Sequence, residues 1–325
     1  MHDKVLSERS GMRVVLNSGV VTKYALDEAN LAGINNAYRF YKALSDTKYV
    51  PKNAVLSDNI LRTEYVEEQY VNDNTFHENF RRECIKLVFE LRNRGIRHGD
   101  LTSYNYIIRD NVPVVIDWDQ SNFVFEDMMQ KRPKTDAYHL YKTIPDKTGD
   151  VNRIMRRWLV IRDYMEPYKG WGKVVDLGTY QGDTAALAQS EFFFSTGVDI
   201  QQMRTICIQE AKEMWEPYGC RFVEKDIVDF DCTPYDIAIM FSTWAYIVRD
   251  YGKEVALKTL QRIINQVDML FFETQLLGDG PGPEFLKTDD DTRKMLSEYA
   301  SVVEPLITIP VYDREALRTT WLVKR

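Results

Sequence analysis

Apolar and polar positions alternate in two different ways along the chain, and the change falls near residue 170. In the first part, Met12–Asn17 and Val20–Ala25 are short β-like runs separated by Ser18-Gly19, a hairpin signal. Asp27–Leu44 reads as helix, and Asn53–Val66 contains further β-like pieces. His77–Arg94 carries a helical stripe through Phe80, Cys84, Leu87, Val88 and Leu91. Two more runs, Tyr106–Arg109 and Val112–Ile116, flank the tight-turn pair Asp110-Asn111, and helical material follows from about Lys134 to Tyr168.

After Gly170-Trp171-Gly172 the pattern becomes an alternation of strands and helices. It runs through Val174–Leu177, Thr184–Ala188, Ser195–Ile200, a long helix Gln201–Tyr218, and Arg221–Glu224. It continues with Ile237–Phe241, helix Lys253–Val267, Met269–Glu273, a helix near Thr292–Ala300, and strands near Ile307–Pro310 and Thr319–Val323. Such alternation predicts an α/β fold with a mostly parallel, doubly wound sheet covered by helices on both faces. The expected organisation is one domain over residues 1–150, a helical link over 151–172, and a second domain over 173–325.

Composition narrows the function without naming it. The 325 residues are 44% hydrophobic, enough for two cores, and the net charge of -7 argues against a general nucleic-acid-binding surface. No apolar run reaches the roughly 18 residues of a membrane span. The opening MHDKVLSERSGMRVV has no apolar secretory core, so a cytoplasmic protein is expected. Cys84, Cys207, Cys220 and Cys232 lack CxxC spacing and lie in apolar context, which favours buried thiols over disulfides or zinc.

The chemistry in the first part gathers at His98-Gly99-Asp100-Leu101-Thr102-Ser103-Tyr104-Asn105 and at Val114-Val115-Ile116-Asp117-Trp118-Asp119. Phosphoryl transfer needs a carboxylate to orient the attacking hydroxyl, and oxygen ligands to hold Mg²⁺ on the phosphates. Asp100 and Asn105 lie on one loop and Asp117 ends the strand of the next hairpin, so the two groups can converge on one metal site. These motifs resemble the protein-kinase-like superfamily, in particular the branch of aminoglycoside and sugar phosphotransferases, with its H-G-D-L-x-x-x-N loop and I-D-[WF]-[DE] metal motif.

The resemblance implies a small, two-lobed α+β domain with Asp100 as catalytic base, Asn105 and Asp117 as magnesium ligands, and His98 as a brace of the loop. It puts Lys23 on the α- and β-phosphates of ATP and the backbone of Thr63-Glu64-Tyr65-Val66 on the adenine, with Glu64 and Val66 as its contacts. It also makes Ser7–Gly11 a shortened phosphate-covering loop and Asp136 a brace of the catalytic loop. The carboxylate that should pair with Lys23 is open: Glu28 lies close in sequence, while the expected helix positions read Asn35-Asn36-Ala37. The stretch after Asp119 is short and lacks an A-P-E segment, which favours a small or glycan hydroxyl over a protein substrate.

In the second part, Val174-Val175-Asp176-Leu177-Gly178-Thr179-Tyr180-Gln181-Gly182 is a buried strand entering a glycine loop before a helix. Tyr180 stands where a nicotinamide-binding G-x-G-x-x-G needs glycine, so the dinucleotide fingerprint is absent. The stretch resembles the D-x-G-x-x-x-G motif of class I methyltransferases, a Rossmann-like fold. That resemblance implies S-adenosylmethionine bound along Asp176, Gly178 and Gly182. Asp199, ending the next strand, would take the ribose hydroxyls, and Asp226 with Ile227, after the third, would reach the adenine. Arg249 and Lys253 suit either an acceptor phosphate or a solvated helix face.

Tyr235–Ile239, Tyr246–Val248, Tyr251–Val255 and Phe271–Thr274 look like a bifunctional family, the methyltransferase–kinases that cap bacterial O-antigen polymannose chains. That family phosphorylates a terminal sugar hydroxyl and then methylates the phosphate. Here the order is reversed, with the kinase-like part first, and Ala245-Tyr246 replaces a histidine pair. The sequence ends at Trp321–Arg325 without the family's coiled coil, so no membrane-bound polymerase partner is implied. The expected partner is a glycan or small-molecule hydroxyl acceptor, with ATP, Mg²⁺ and S-adenosylmethionine as cofactors. Two independent activities, or a kinase-like part that only binds nucleotide, remain as alternatives, and the oligomeric state is open.

Overall fold

The computed structural model describes residues 4–9, 11–69, 74–124, 136–148, 153–191, 193–311 and 316–325. The chain divides into two compact units, Met1–Asn152 and Arg153–Arg325.

The first unit opens with β1 (Lys4–Arg9), β2 (Met12–Asn17), β3 (Val20–Ala25), β4 (Val55–Ser57) and β5 (Ile60–Glu64). They form an antiparallel sheet in the order β1-β2-β3-β5-β4. Ser18 and Gly19 (φ 49 and 79) and Asp58 and Asn59 (φ 50 and 61) make two-residue turns whose twist matches that of the strands. β1 was not foreseen, because its polar run Lys4–Arg9 carries no apolar alternation and its order comes from pairing with β2.

Helix α1 (Glu28–Ala43) starts at Asp27, whose carboxylate accepts from the Asn30 amide at 2.8 Å. It buries Ile34, Ala37, Phe40 and Tyr41. Helix α2 (Asn74–Asn93) buries its whole expected stripe: Phe80, Cys84, Leu87, Val88 and Leu91. Two small ribbons then frame the chemistry, β6 (Ile96–Arg97) with β9 (Asn122–Phe123), and β7 (Tyr106–Arg109) with β8 (Val112–Val115). The loop 98–105 leaves β6 and enters β7, and the loop 116–121 leaves β8 and enters β9, so both motifs hang from paired strands. Helix α3 (Asp136–Thr148) packs against α2.

The second unit holds a seven-stranded sheet of β10 (Lys173–Leu177), β11 (Phe194–Asp199), β12 (Arg221–Glu224), β13 (Ile237–Phe241), β14 (Met269–Glu273), β15 (Val302–Pro310) and β16 (Leu317–Lys324). The order is β12-β11-β10-β13-β14-β16-β15, the first five parallel and β16 antiparallel to both neighbours. Every residue of β14 is buried, the mark of a strand covered on both faces. Val175, Met240, Trp244, Leu260, Phe272 and Trp321 are among the core residues.

Helices α4 (Arg153–Met165), α5 (Asp183–Ser190), α6 (Gln201–Trp215), α7 (Trp244–Tyr251), α8 (Lys253–Gln266) and α9 (Asp289–Ser297) complete the unit. The stretch expected as a link, 151–172, is corrected here. Its helix α4 belongs to the second unit, with Trp158, Ile161 and Met165 buried and Arg162 held by the buried Glu191. Helix α9 begins three residues before the expected Thr292, because Thr288 and Asp291 close a reciprocal capping box. Cys84, Cys220 and Cys232 are buried free thiols, and burial pushes the latter two up to about 12. Among the described residues no helix is long and apolar enough to cross a membrane.

Candidate active sites

In the first unit, the loop 98–105 is pinned from several sides. Asp136, at the start of α3, accepts from the His98 amide at 2.6 Å and the Gly99 amide at 2.9 Å. The His98 ring is buried edge-on against Trp118, with centroids 4.7 Å apart. Its Nε2 lies 2.9 Å from the Ile116 carbonyl, which can only accept, so Nε2 carries the proton and Nδ1 is left to accept from the Asp100 amide at 3.4 Å. His98 therefore ties the loop to the strand end that delivers Asp117.

Asn105 donates through Nδ2 to the Asp100 carbonyl (2.7 Å) and carboxylate (2.9 Å), while its backbone carbonyl accepts from the Ile116 amide at 2.9 Å. That orientation turns the amide oxygen of Asn105 away from Asp100. Asp117 follows Ile116 with φ 63, a left-handed backbone that aims its carboxylate out of the strand register. Asp100, Asn105 and Asp117 thus meet on one small frame.

Lys23, near the middle of β3, reaches the same frame. Its ammonium is 2.7 Å from Asp117 and 3.7 Å from Asp119. Burial works against its charge, but the Tyr41 phenol, Asp117 and Asp119 outweigh that and raise its pKa. Burial pushes the Tyr41 phenol itself up to about 12. The open question of the lysine's carboxylate partner is answered by position: Glu28 is exposed at the first turn of α1, and the carboxylates beside Lys23 are Asp117 and Asp119. Asn36 of α1 donates to the carbonyls of Asp119 (3.0 Å) and Ser121 (2.8 Å), a tie between helix and metal-motif loop that no sequence pattern announced.

The segment expected to hold adenine closes β5. The Glu64 carboxylate accepts from Arg109 and from the Lys52 amide, both at 2.8 Å. The amides of Glu64 and Tyr65 donate to the carbonyls of Lys52 and Gly19. Val66 is buried beside them. Ser7–Gly11 spans the end of β1 and the turn into β2, with Ser10 outside the described residues.

The oxygen donors suit magnesium. One half-exposed carboxylate (Asp117), one outward amide oxygen (Asn105) and the phosphates of a nucleotide form the hard, oxygen-only set that this ion prefers. Among the described residues no cluster of three or more His, Cys, Asp or Glu could hold a metal by itself.

In the second unit, β10 runs into the loop Gly178–Gly182, where Gly178, Tyr180 and Gly182 have φ 82, 53 and 79. A Cβ at Gly178 would lie 2.0 Å from Thr243 Oγ1, and one at Gly182 would lie 2.6 Å from the Phe222 ring, so both positions need glycine for space as well as for φ. The Asp176 carboxylate, almost wholly buried, accepts from Thr179 Oγ1 at 2.7 Å, and burial pushes its pKa up to about 7. Asp199, at the end of β11, accepts from the Tyr180 and Ile200 amides, each at 2.8 Å. Each of its oxygens keeps a further lone pair for a ribose hydroxyl.

Asp226 caps a short 3₁₀ turn through the Val228 amide (2.9 Å), and its other oxygen accepts from Tyr251. Ile227 is buried beside it, and its carbonyl accepts from Arg262 at 2.8 Å. Arg249 forks onto its neighbour Asp250, and Lys253 lies over the Phe285 ring at 4.2 Å, so both belong to a solvated face. A buried polar group at the ends of β13 and β14 has no counterpart among the sequence motifs. It comprises Glu273, Arg153, Arg157, Arg318, Asp279 and Ser242.

A family profile described as RIO1: RIO domain matches residues 28–145, a span that includes Asp100, Asn105 and Asp117 but not Lys23. The first unit is kinase-like. No curated protein matches the chain. Among solved structures, the bifunctional kinase-methyltransferase WbdD is 19% identical with a TM-score of 0.47, covering 55% of this chain and 42% of that one. The chain therefore spans less than half the length of that protein. The mitomycin 7-O-methyltransferase MmcR is 14% identical with a TM-score of 0.36, covering 49% of this chain and 50% of that one. A Thermoplasma acidophilum protein is 19% identical with a TM-score of 0.37, covering 51% of this chain and 86% of that one.

Proposed function

We propose that the chain is a bifunctional transferase. The first unit would phosphorylate a hydroxyl of a glycan terminus or small sugar, and the second would methylate the phosphate so formed. The observation that carries this reading is the meeting of Lys23, Asp100, Asn105 and Asp117 on one braced frame, in a chain whose other unit bears a methyltransferase-type glycine loop.

In the first step, Asp100 orients the acceptor hydroxyl and takes its proton as the new O–P bond forms and the bond to the β-phosphate oxygen breaks, releasing ADP. Asp117 and Asn105 would hold magnesium, which neutralises charge on the phosphates when bound. Lys23, positioned by Asp117 and Asp119, would exchange its carboxylate partner for phosphate oxygens. In the second step S-adenosylmethionine supplies an electrophilic methyl group, with Asp199 and the Gly178–Gly182 loop holding it. A phosphate oxygen forms the new C–O bond, the C–S bond breaks, and its electron pair stays on sulfur. A phosphate monoester, with its second pKa near ~6, is already an anionic nucleophile at neutral pH, so no general base is required.

The test is mass spectrometry on mono- and disaccharides incubated with ATP, Mg²⁺ and S-adenosylmethionine, with Asp100→Ala as control. A gain of phosphate plus methyl, both lost in the variant, is expected. Methylation that survives the substitution would refute the sequential reading and leave two separate activities. A second reading, a first unit that only binds nucleotide, draws on Lys23 pairing with Asp117 and Asp119 rather than with a glutamate of α1. ATP turnover by the intact chain would dismiss it.

A further inference from the structure

The buried polar group of the second unit crowds its donors onto one carboxylate oxygen. Glu273 is fully buried at the end of β14, and its Oε1 alone accepts from Arg153 Nη2 (3.1 Å), Arg157 Nη1 (3.0 Å) and Ser242 Oγ (2.7 Å), with Arg318 Nη1 at 3.9 Å. A carboxylate oxygen has two lone pairs. Four donors around it are more than it can satisfy well. Among the described residues its twin Oε2 has only Thr320 Oγ1, at 3.5 Å. Arg318 is further held by Asp279, with Nη2 at 2.8 Å, and donates to Ser242 at 2.7 Å.

Among the described residues, Nε of Arg153 is buried without a hydrogen-bond partner, and so is Oε1 of the neighbouring Gln275, whose amide nitrogen donates to the Ser242 carbonyl at 3.0 Å. Three guanidinium groups against the carboxylates of Glu273 and Asp279 leave one positive charge in excess, and burial with Arg157 and Arg318 nearby lowers Arg153 to about 10. Asp176 feels Arg157, and Tyr246 faces Arg318. A buried cation with an unused donor is costly unless an anion completes it.

The group also stands at the carboxyl ends of the parallel strands β13 and β14, the edge at which open α/β sheets bind ligands. Ser242 and Thr243 follow β13, Thr243 Oγ1 fills the space above Gly178, and Arg157 acts electrostatically on Asp176, on β10 just before the glycine loop. Arg157 lies over the Phe241 ring at 4.5 Å, which fixes its plane.

We propose that Arg153, Arg157 and Arg318 form the oxyanion-binding site of the methyl acceptor, with the unpartnered Nε of Arg153 as the donor that receives it. Planar, forked donors match a phosphate or a carboxylate. The phosphate version rests on the sequential reading above, and the carboxylate version does not. Either oxyanion would be the nucleophile itself, losing no proton and passing from dianion to monoanion (phosphate) or from anion to neutral ester (carboxylate) as the methyl group arrives.

The experiment is calorimetric titration of the full chain, in a Lys23→Ala background so that the first unit's phosphate site is not read, saturated with S-adenosylhomocysteine. The probes are inorganic phosphate, glucose 6-phosphate, glucuronate and glucose. Saturable binding of an oxyanion probe is expected, weakened at least tenfold by Arg153→Ala, partly recovered in Arg153→Lys, and weakened by salt. Phosphate binding supports the site together with the sequential reading. Binding of glucuronate alone supports the site and refutes the sequential reading. S-adenosylhomocysteine binding without either oxyanion, or oxyanion binding unchanged within twofold in Arg153→Ala, overturns the proposal and makes the group a structural tie of α4 to the sheet. Absence of S-adenosylhomocysteine binding would instead refute the methyltransferase reading itself.

Discussion

Asp176 offers a quantitative check on the second unit. Its carboxyl is buried at the end of β10, accepts from Thr179, and has a pKa pushed from 3.8 up to about 7 by burial. The folded state therefore keeps a proton that the unfolded chain releases near pH 4. The stability this contributes is fully present below about pH 4 and is lost as pH rises through about 7. The span is roughly three pH units at about 1.4 kcal/mol each, an upper bound of about 4 kcal/mol. Asp176→Asn keeps an acceptor for Thr179 and removes the ionisation. Differential scanning calorimetry of the full chain from pH 4 to 8 should show the variant matching the wild type at the acid end. It should then pull ahead as pH rises, by a difference on the order of 10 °C at pH 8 for a unit of this size. A difference between variant and wild type that stays constant from pH 5 to 8 would refute the reasoning.

Two further substitutions test the supports of the sites. Asp136→Ala removes the acceptor of the His98 and Gly99 amides, so the first unit should lose about 2–4 kcal/mol in chemical denaturation, with ATP turnover falling more steeply than stability alone explains. Glu191→Ala leaves Arg162 buried without its carboxylate and should cost about 3–5 kcal/mol, whereas Arg162→Met with Glu191→Leu should recover most of that in the same melt.

The parts of the sites that were legible lie close together in the chain. Asp100 and Asn105 share a loop, Asp117 ends the adjacent hairpin, and Asp136 opens the following helix, so spacing alone brought them near one another. The glycine loop was legible because Gly178 and Gly182 answer to local backbone demands. Tyr41 and Asn36 were not, since which residue of α1 faces Lys23 depends on the rotation of a packed helix. The arginine group was invisible for a stronger reason. Arg153 precedes the sheet, Glu273 closes its fifth strand in chain order and Arg318 lies on its last, so only the strand order makes them neighbours. Boundary errors were likewise physical: Lys4–Arg9 is a strand by pairing rather than by composition, and α9 obeys its capping box rather than its apolar residues.

The place of β16 in the second sheet has a consequence for synthesis. It lies between β14 and β15, both of which leave the ribosome before it. Until Leu317–Lys324 emerge, the apolar strand β14 has no neighbour on one side and β15 has no neighbour at all among the strands. The first unit has all its strands early in the chain and can fold while the second is still being made. A nascent chain stalled before Leu317 would therefore carry a finished kinase-like unit attached to an open sheet edge, the kind of surface that pairs with other chains and attracts chaperones.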